Sequence, residues 1–235
     1  MTNDRISRQF WLYGVLAIGF LLPVVQSAGV LFGWFHLHAA THGRLLFHVI
    51  YQVVGLLSLY FALRYQGRKF KDIGLFIDPR LREIGLAFAL FFGVIFLQAI
   101  LQAALFVILS PVVPWLRGAD LHGSFDQAAL FGTSASFLAV VVAVLNPFHE
   151  ELLVRAFLIT EVEGLYLSTT LAVIVSVALQ TSYHLYQGLP AALSHIPTFV
   201  VFSLYYVRTR RILPVVIAHL VMDVLALGIY AQQHW

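Results

Sequence analysis

The stretch FLAVVVAVLNPFHEELLVRAFLI, residues 137–159, places His149, two adjacent carboxylates and Arg155 inside an otherwise apolar run. Charges within a hydrophobic segment are expensive, and by default they mark a functional cavity or an interior pair. Helical spacing sorts them. Glu151 and Arg155 are four residues apart, so they share one helix face and can pair, with the acid N-terminal to the base as the favoured order. Glu150 points about 100° away around the helix and has no opposite charge within helical reach. It must find water, a histidine or a proton. Glu150 is therefore the candidate base for activating water, and Glu151 with Arg155 is the candidate structural support.

The rest of the chain agrees that this stretch lies in a membrane. Of 235 residues, 60% are hydrophobic and 11% charged, and the mean hydropathy is +0.88, outside the range of soluble globular proteins. A spanning helix needs roughly 20 mostly apolar residues. The runs that qualify lie at about 10–34, 45–63, 84–110, 130–148 continuing towards 160, 168–187, 190–207 and 212–231. This reads as an all-α polytopic transmembrane helix bundle of about seven spans, in a single integral membrane domain, residues 1–235. The runs do not alternate polar and apolar residues as barrel strands would. The chain has no cysteine, which excludes disulfides, thiolate nucleophiles and cysteine-ligated metals.

The net charge is +3, and its placement argues against a nucleic-acid partner. Arg5, Arg8, Arg64, Arg68, Lys69, Lys71, Arg80, Arg82, Arg208, Arg210 and Arg211 fall in segments that alternating helices place on one side, whereas Arg44 and Arg117 fall opposite. This bias puts the N-terminus in the cytoplasm and, with an odd number of spans, the C-terminus outside. The first run follows Arg5 and Arg8 and carries small residues in VQSAG, like a secretory signal, but it continues through VLFGWF and is expected to be an uncleaved span. Residues 64–82 read either as an interfacial element meeting anionic headgroups or as a solvated loop with topogenic charges. Residues 111–127, with Pro111, Pro114, Gly118 and Gly123, are expected to form an external loop. Trp34, Trp115 and Trp235 suit interfacial anchoring.

Two further polar clusters lie within apolar runs: His184 with Gln180, and His219 with Asp223, each pair four residues apart. Asp223 is placed to orient the His219 ring or to bond the reacting group itself. HEELL begins like the HExxH zinc motif, but Leu153 stands where the second histidine belongs. No cofactor is expected; a zinc held by His184, His219 and a glutamate is the alternative. His195, near Pro197, reads as structural. His36, His38, His42, His48 and His122 read as interfacial.

Taken in order, Glu150-Glu151-x-x-x-Arg155, His184 late in the next apolar run, and His219-x-x-x-Asp223 in the last one resemble the CAAX prenyl protease and bacteriocin-processing family, also called Abi. The resemblance covers roughly residues 128–230, the family-like catalytic core. It implies a glutamate-dependent intramembrane protease in which Glu150 and His184 hold and activate the attacking water, while His219 and the residue at 223 stabilise the oxyanion. Amide hydrolysis needs both a base for water and donors aimed at the developing charge. Two positions depart from the family pattern. Gln180 stands where an aromatic is usual, and Asp223 where Asn is frequent. An ionised Asp has no hydrogen to donate, so Asp223 either carries a proton or serves to position His219.

The expected partners are the lipid bilayer and a membrane-associated protein or peptide substrate, and the expected location is a bacterial inner membrane. The alternative function is a non-proteolytic membrane protein of the same fold, acting in bacteriocin immunity, binding or transport. One conflict stands within this reading. At 1.5 Å per residue, a straight span from 168 buries His184 about 24 Å deep, while His219 lies about 10 Å from the start of its own span. Either Pro147 breaks the fourth span, making HEELLVRAFL a separate tilted segment, or the span boundaries shift by a turn.

Overall fold

The computed structural model describes residues 2–76, 82–109, 127–132 and 136–233, and among them only helices and their connections occur. The first apolar run forms α1 (Thr2–Leu16) and α2 (Leu22–Leu31), joined without a break by a π-helical turn at Ala17–Leu21. Then come α3 (His42–Tyr65), α4 (Arg82–Leu109), the short α5 (Ala128–Phe131) and α6 (Phe137–Glu150). The last of these continues through a π-helical segment, Glu151–Phe157, into α7 (Leu158–Tyr166). The remaining helices are α8 (Thr169–Tyr183), α9 (Leu189–Ser194), α10 (Ile196–Thr209) and α11 (Leu213–Gln233). Side-chain hydroxyls set three of the starts. Thr41, Ser136 and Ser168 accept from the backbone N–H three residues on, capping α3, α6 and α8.

Among the described residues, six stretches are long and apolar enough to cross a membrane: Arg5–Leu31, His42–Tyr65, Arg82–Ala104, Phe137–Tyr166, Leu189–Thr209 and Leu213–Gln232. The seventh expected span, about 168–187, is shorter. Its helix ends at Tyr183, and a 3-10 turn, Leu185–Gln187, leads to Gly188 at φ +92° and Pro190 at the start of α9. Glycine takes that backbone conformation without steric cost, and proline opens the following helix. The expected external loop at 111–127, with Trp115, Arg117 and His122, lies almost wholly outside the described residues, as do Arg80 and Trp235.

The fourth span is the axis of the bundle. Every residue from Glu151 to Ile159 is at most 3% exposed, with α1, α3, α8 and α10 packed around the π segment. A helix apolar on every side must be enclosed in this way. The helix passes through Pro147 without breaking, so HEELLVRAFL is not a separate tilted segment. The irregularity comes one turn later, as the π segment, and such insertions within α-helices recur at functional sites. Close approach of the outer helices depends on glycine. A Cβ on Gly55 of α3 would lie 2.5 Å from His149 Nε2, and one on Gly19 the same distance from Leu153 Cδ2.

One end of the bundle collects basic side chains and binds them to acids. Arg8 and Arg68 converge on fully buried Glu161, Arg210 meets Glu163 at 2.6 Å, and Arg211 pairs with Glu83. The connector after α3 docks against this end. Ile73 is buried, Gly74 O accepts from Ile212 N at 3.1 Å, and Ile73 O accepts from the Tyr206 hydroxyl at 3.1 Å. It is a packed element of the bundle along Phe70–Gly74.

Candidate active site

Asn146, Glu150, Glu151 and Arg155 occupy successive turns of the fourth span and reach three different helices. Glu150 Oε2 accepts from the Tyr183 hydroxyl at 2.7 Å and from Gln180 Nε2 at 3.4 Å, both on α8. Glu151 turns the other way, pairing with Arg155 and accepting from His219 Nδ1 of α11 at 2.6 Å. Arg155 also donates to Gln180 Oε1, and its guanidinium carbon lies 5.3 Å from the Phe202 ring centre. Adjacent carboxylates thus serve different neighbours, as the helical angle between them requires.

Beyond His219, the chain of polar contacts runs outward. His219 Nε2 stands 3.5 Å from Asp223 Oδ1, Asp223 Oδ2 accepts from Asn146 Nδ2 at 3.1 Å, and Asn146 Oδ1 accepts from Gln52 Nε2 of α3 at 3.3 Å. From Gln52 to Tyr183 the contacts cross α3, α6, α11, the π segment and α8. Connected networks of this kind are stronger than isolated bonds in a low-dielectric interior. Their charges do not cancel through fixed cations alone. Three carboxylates, Glu150, Glu151 and Asp223, meet one guanidinium and the His219 imidazole.

A cavity of about 250 Å³ opens beside this network. Glu150, His184, His219 and Asp223 all line it, together with Asn146, Tyr183 and Tyr186. The conflict in depth between His184 and His219 is thereby resolved. Within one turn the π segment reaches His219 of α11 through Glu151 and Gln180 of α8 through Arg155. His184 lies just past the end of α8, its Nδ1 2.8 Å from Gln180 O, with the rings of His195 and Phe199 at 5.7 and 5.1 Å. The cavity extends to Leu37, which precedes α3, and to Arg44 and His48 in its first turns, away from Arg64 and Arg68 at its other end.

Several wall residues escaped the sequence reading. Tyr183 was hidden in an apolar run, although its neighbour His184 was singled out. Asn146 had a usable signal, four residues before Glu150 on the same face. His48, read as interfacial, belongs to the cavity wall. Gln180 bridges Arg155 and Glu150, so its departure from the family pattern fills a defined place. Among the described residues no three His, Asp or Glu side chains converge as a metal-holding group. Nδ1 of each histidine is already engaged, by Glu151 and by the Gln180 carbonyl.

Comparison with known families places this region. The family model described as Type II CAAX prenyl endopeptidase Rce1-like matches residues 132–225. Over residues 132–225 the chain is similar to this family. No curated protein and no solved structure matches the chain. The Rce1-like region takes in the whole of the fourth span, α8, α9 and α10, and α11 as far as Leu225, and so contains Asn146, Glu150, Tyr183, His184, His219 and Asp223. The matched family is described as one of CAAX prenyl endopeptidases, in agreement with the polar motifs. With six apolar helices of spanning length among the described residues, the chain is an integral membrane protein.

Proposed function

We propose that this chain is a glutamate-dependent intramembrane endopeptidase, with residues 128–230 as the catalytic core of a single integral domain. The observation that carries the reading is the cavity that gathers Glu150, His184, His219 and Asp223 within the helix bundle. The charge balance supports it. Arg155 and an imidazolium at His219 offset Glu151 and Asp223, which leaves Glu150, held only by neutral donors, as the carboxylate free to take a proton.

In the proposed reaction the oxygen of a water held by Glu150 and His184 attacks the scissile carbonyl carbon. One water proton passes to Glu150, and the carbonyl π pair moves onto oxygen. Because Glu151 accepts from Nδ1, the His219 ring offers a hydrogen at Nε2 only as the imidazolium. Collapse of the tetrahedral species breaks the C–N bond, and the departing nitrogen takes the proton from Glu150. Donors aimed at the oxyanion and a base for water are the two requirements of amide hydrolysis.

The substrate is a membrane-proximal or lipidated protein or peptide, and the bilayer is the second partner. The paired arginines at one end of the bundle support an N-terminus in the cytoplasm of a bacterial inner membrane. The cavity, reaching Arg44 and His48 at the opposite end, is then approached from outside the cytoplasm. The chain is free of cysteine, so a single cysteine at position 48 tests this. It should react with a membrane-impermeant maleimide added to intact cells, and labelling only after lysis would reverse the orientation.

The test of the activity is cleavage of lipidated reporter peptides in liposomes. The parent should release product, and Glu150→Gln, His184→Ala and His219→Ala should not. Full cleavage by Glu150→Gln would remove the peptidase mechanism.

A further inference from the structure

The weakest point of the arrangement is Asp223. As an ionised carboxylate it can accept hydrogen bonds but donate none, yet it stands in the cavity wall beside His219. The structure supplies a neutral donor next to it. Asn146 Nδ2 lies 3.1 Å from Asp223 Oδ2, and Asn146 also lines the cavity.

The orientation of that amide is set by its neighbours. Gln52 Nε2 donates to Asn146 Oδ1 at 3.3 Å, while Asp223 needs a donor from Asn146. Reversing the Asn146 amide would set its oxygen against the carboxylate and its NH₂ group against the Gln52 NH₂ group, losing both bonds. The NH₂ group carries two hydrogens. One goes to Asp223, and the other has no acceptor among the described residues. Asn146 and Glu150 are one helical turn apart on the same face of α6, so the donor and the base are carried by one rigid element.

We propose that Asn146 is a catalytic residue, donating its second amide hydrogen to the carbonyl oxygen of the scissile bond as that oxygen becomes an oxyanion. Asp223 and Gln52 are positioning residues that fix the direction of the amide. Nothing is transferred from Asn146: the hydrogen stays on nitrogen, and the water proton goes to Glu150 as before. The inference rests on the proposed peptidase reading of the cavity.

A donor swap tests it. Removing one such donor typically lowers kcat by about 10²–10³-fold. Asn146→Ala should therefore lower kcat by about 10²-fold with KM changed less than about threefold, because the bond forms in the transition state. In the double variant Asn146→Ala/Asp223→Asn, the new amide at 223 stands beside the vacated place and should recover about tenfold or more of the lost kcat. Such recovery also shows that the single variant was not merely misfolded. Asn146→Ser keeps a donor on a shorter side chain and should fall between parent and Asn146→Ala. Near-parental kcat in Asn146→Ala, or a loss that Asp223→Asn does not recover at all, would overturn the role of Asn146. If in the same assay Glu150→Gln is inactive, the peptidase reading survives that failure. If Glu150→Gln cleaves like the parent, both are overturned.

Discussion

The two charged regions of this molecule handle their carboxylates differently. At the basic end, Glu161 receives both Arg8 and Arg68, Glu163 receives Arg210, and Glu83 receives Arg211. Each acid has at least one guanidinium. In the bundle centre, only Glu151 meets a guanidinium, Arg155; Asp223 stands beside the His219 ring, and Glu150 faces the cavity with Tyr183 and Gln180 as its donors. Both regions are rich in charge, so charge alone does not mark function. What separates them is whether the acids are matched. Matched pairs hold helices in place, whereas an unmatched acid on a cavity, supported by Tyr183 and Gln180, remains available for proton transfer.

The contrast is sharpest at Glu150. Glu150→Gln keeps an oxygen to accept from Tyr183 but removes the base, so cleavage should fall by about 10³-fold or more, in the range of an essential general base. The detergent melting temperature should stay close to the parent's. A comparable loss of stability would instead make Glu150 another structural acid, like those at the basic end.

The next effect is on the fold. Arg155→Leu strips the only guanidinium from buried Glu151, and breaking a buried pair typically costs about 3–5 kcal/mol. A marked fall in melting temperature or in yield of folded protein checks this. Arg155→Lys should recover part of it, since an ammonium can meet Glu151 but lacks the fork that also reaches Gln180. Gly55→Ala should cost less, about 1–3 kcal/mol, because the added methyl group meets His149 in a packed interface. Unchanged stability there would mean that α3 yields easily from the fourth span.

The smallest effect belongs to the basic end. Arg210 in the Arg210–Glu163 pair is 48% exposed, and exposed pairs contribute about 0–1 kcal/mol. Glu163→Gln should leave both melting temperature and kcat near the parent values. A tenfold loss of activity would show that the two regions are coupled rather than separate.

The same distinction between local and distant contacts governs how far the sequence could be read. Six spans announced themselves because roughly 20 apolar residues in a row have few alternatives to a spanning helix. The seventh run looked equally long, since nothing in mean apolarity registers that the backbone turns at His184–Gly188. The pairs Glu151–Arg155 and His219–Asp223 were legible because four-residue spacing puts both members on one face. Tyr183 on Glu150, Asn146 on Asp223, Gln180 on Arg155 and Gln52 on Asn146 were not. Each depends on the register of one helix against another, which spacing along a single segment does not encode. The π segment after Pro147 was equally hidden from spacing along the chain.

The most direct measurement is single-turnover cleavage in ¹⁸O-labelled water, with mass analysis of both product and enzyme. If Glu150 acts as a base on water, the new carboxyl group of the product carries one ¹⁸O in the first turnover and the Glu150 peptide stays unlabelled. A first-turnover product without the label, together with ¹⁸O in Glu150, would mean that this carboxylate attacked the substrate itself, and would contradict water activation.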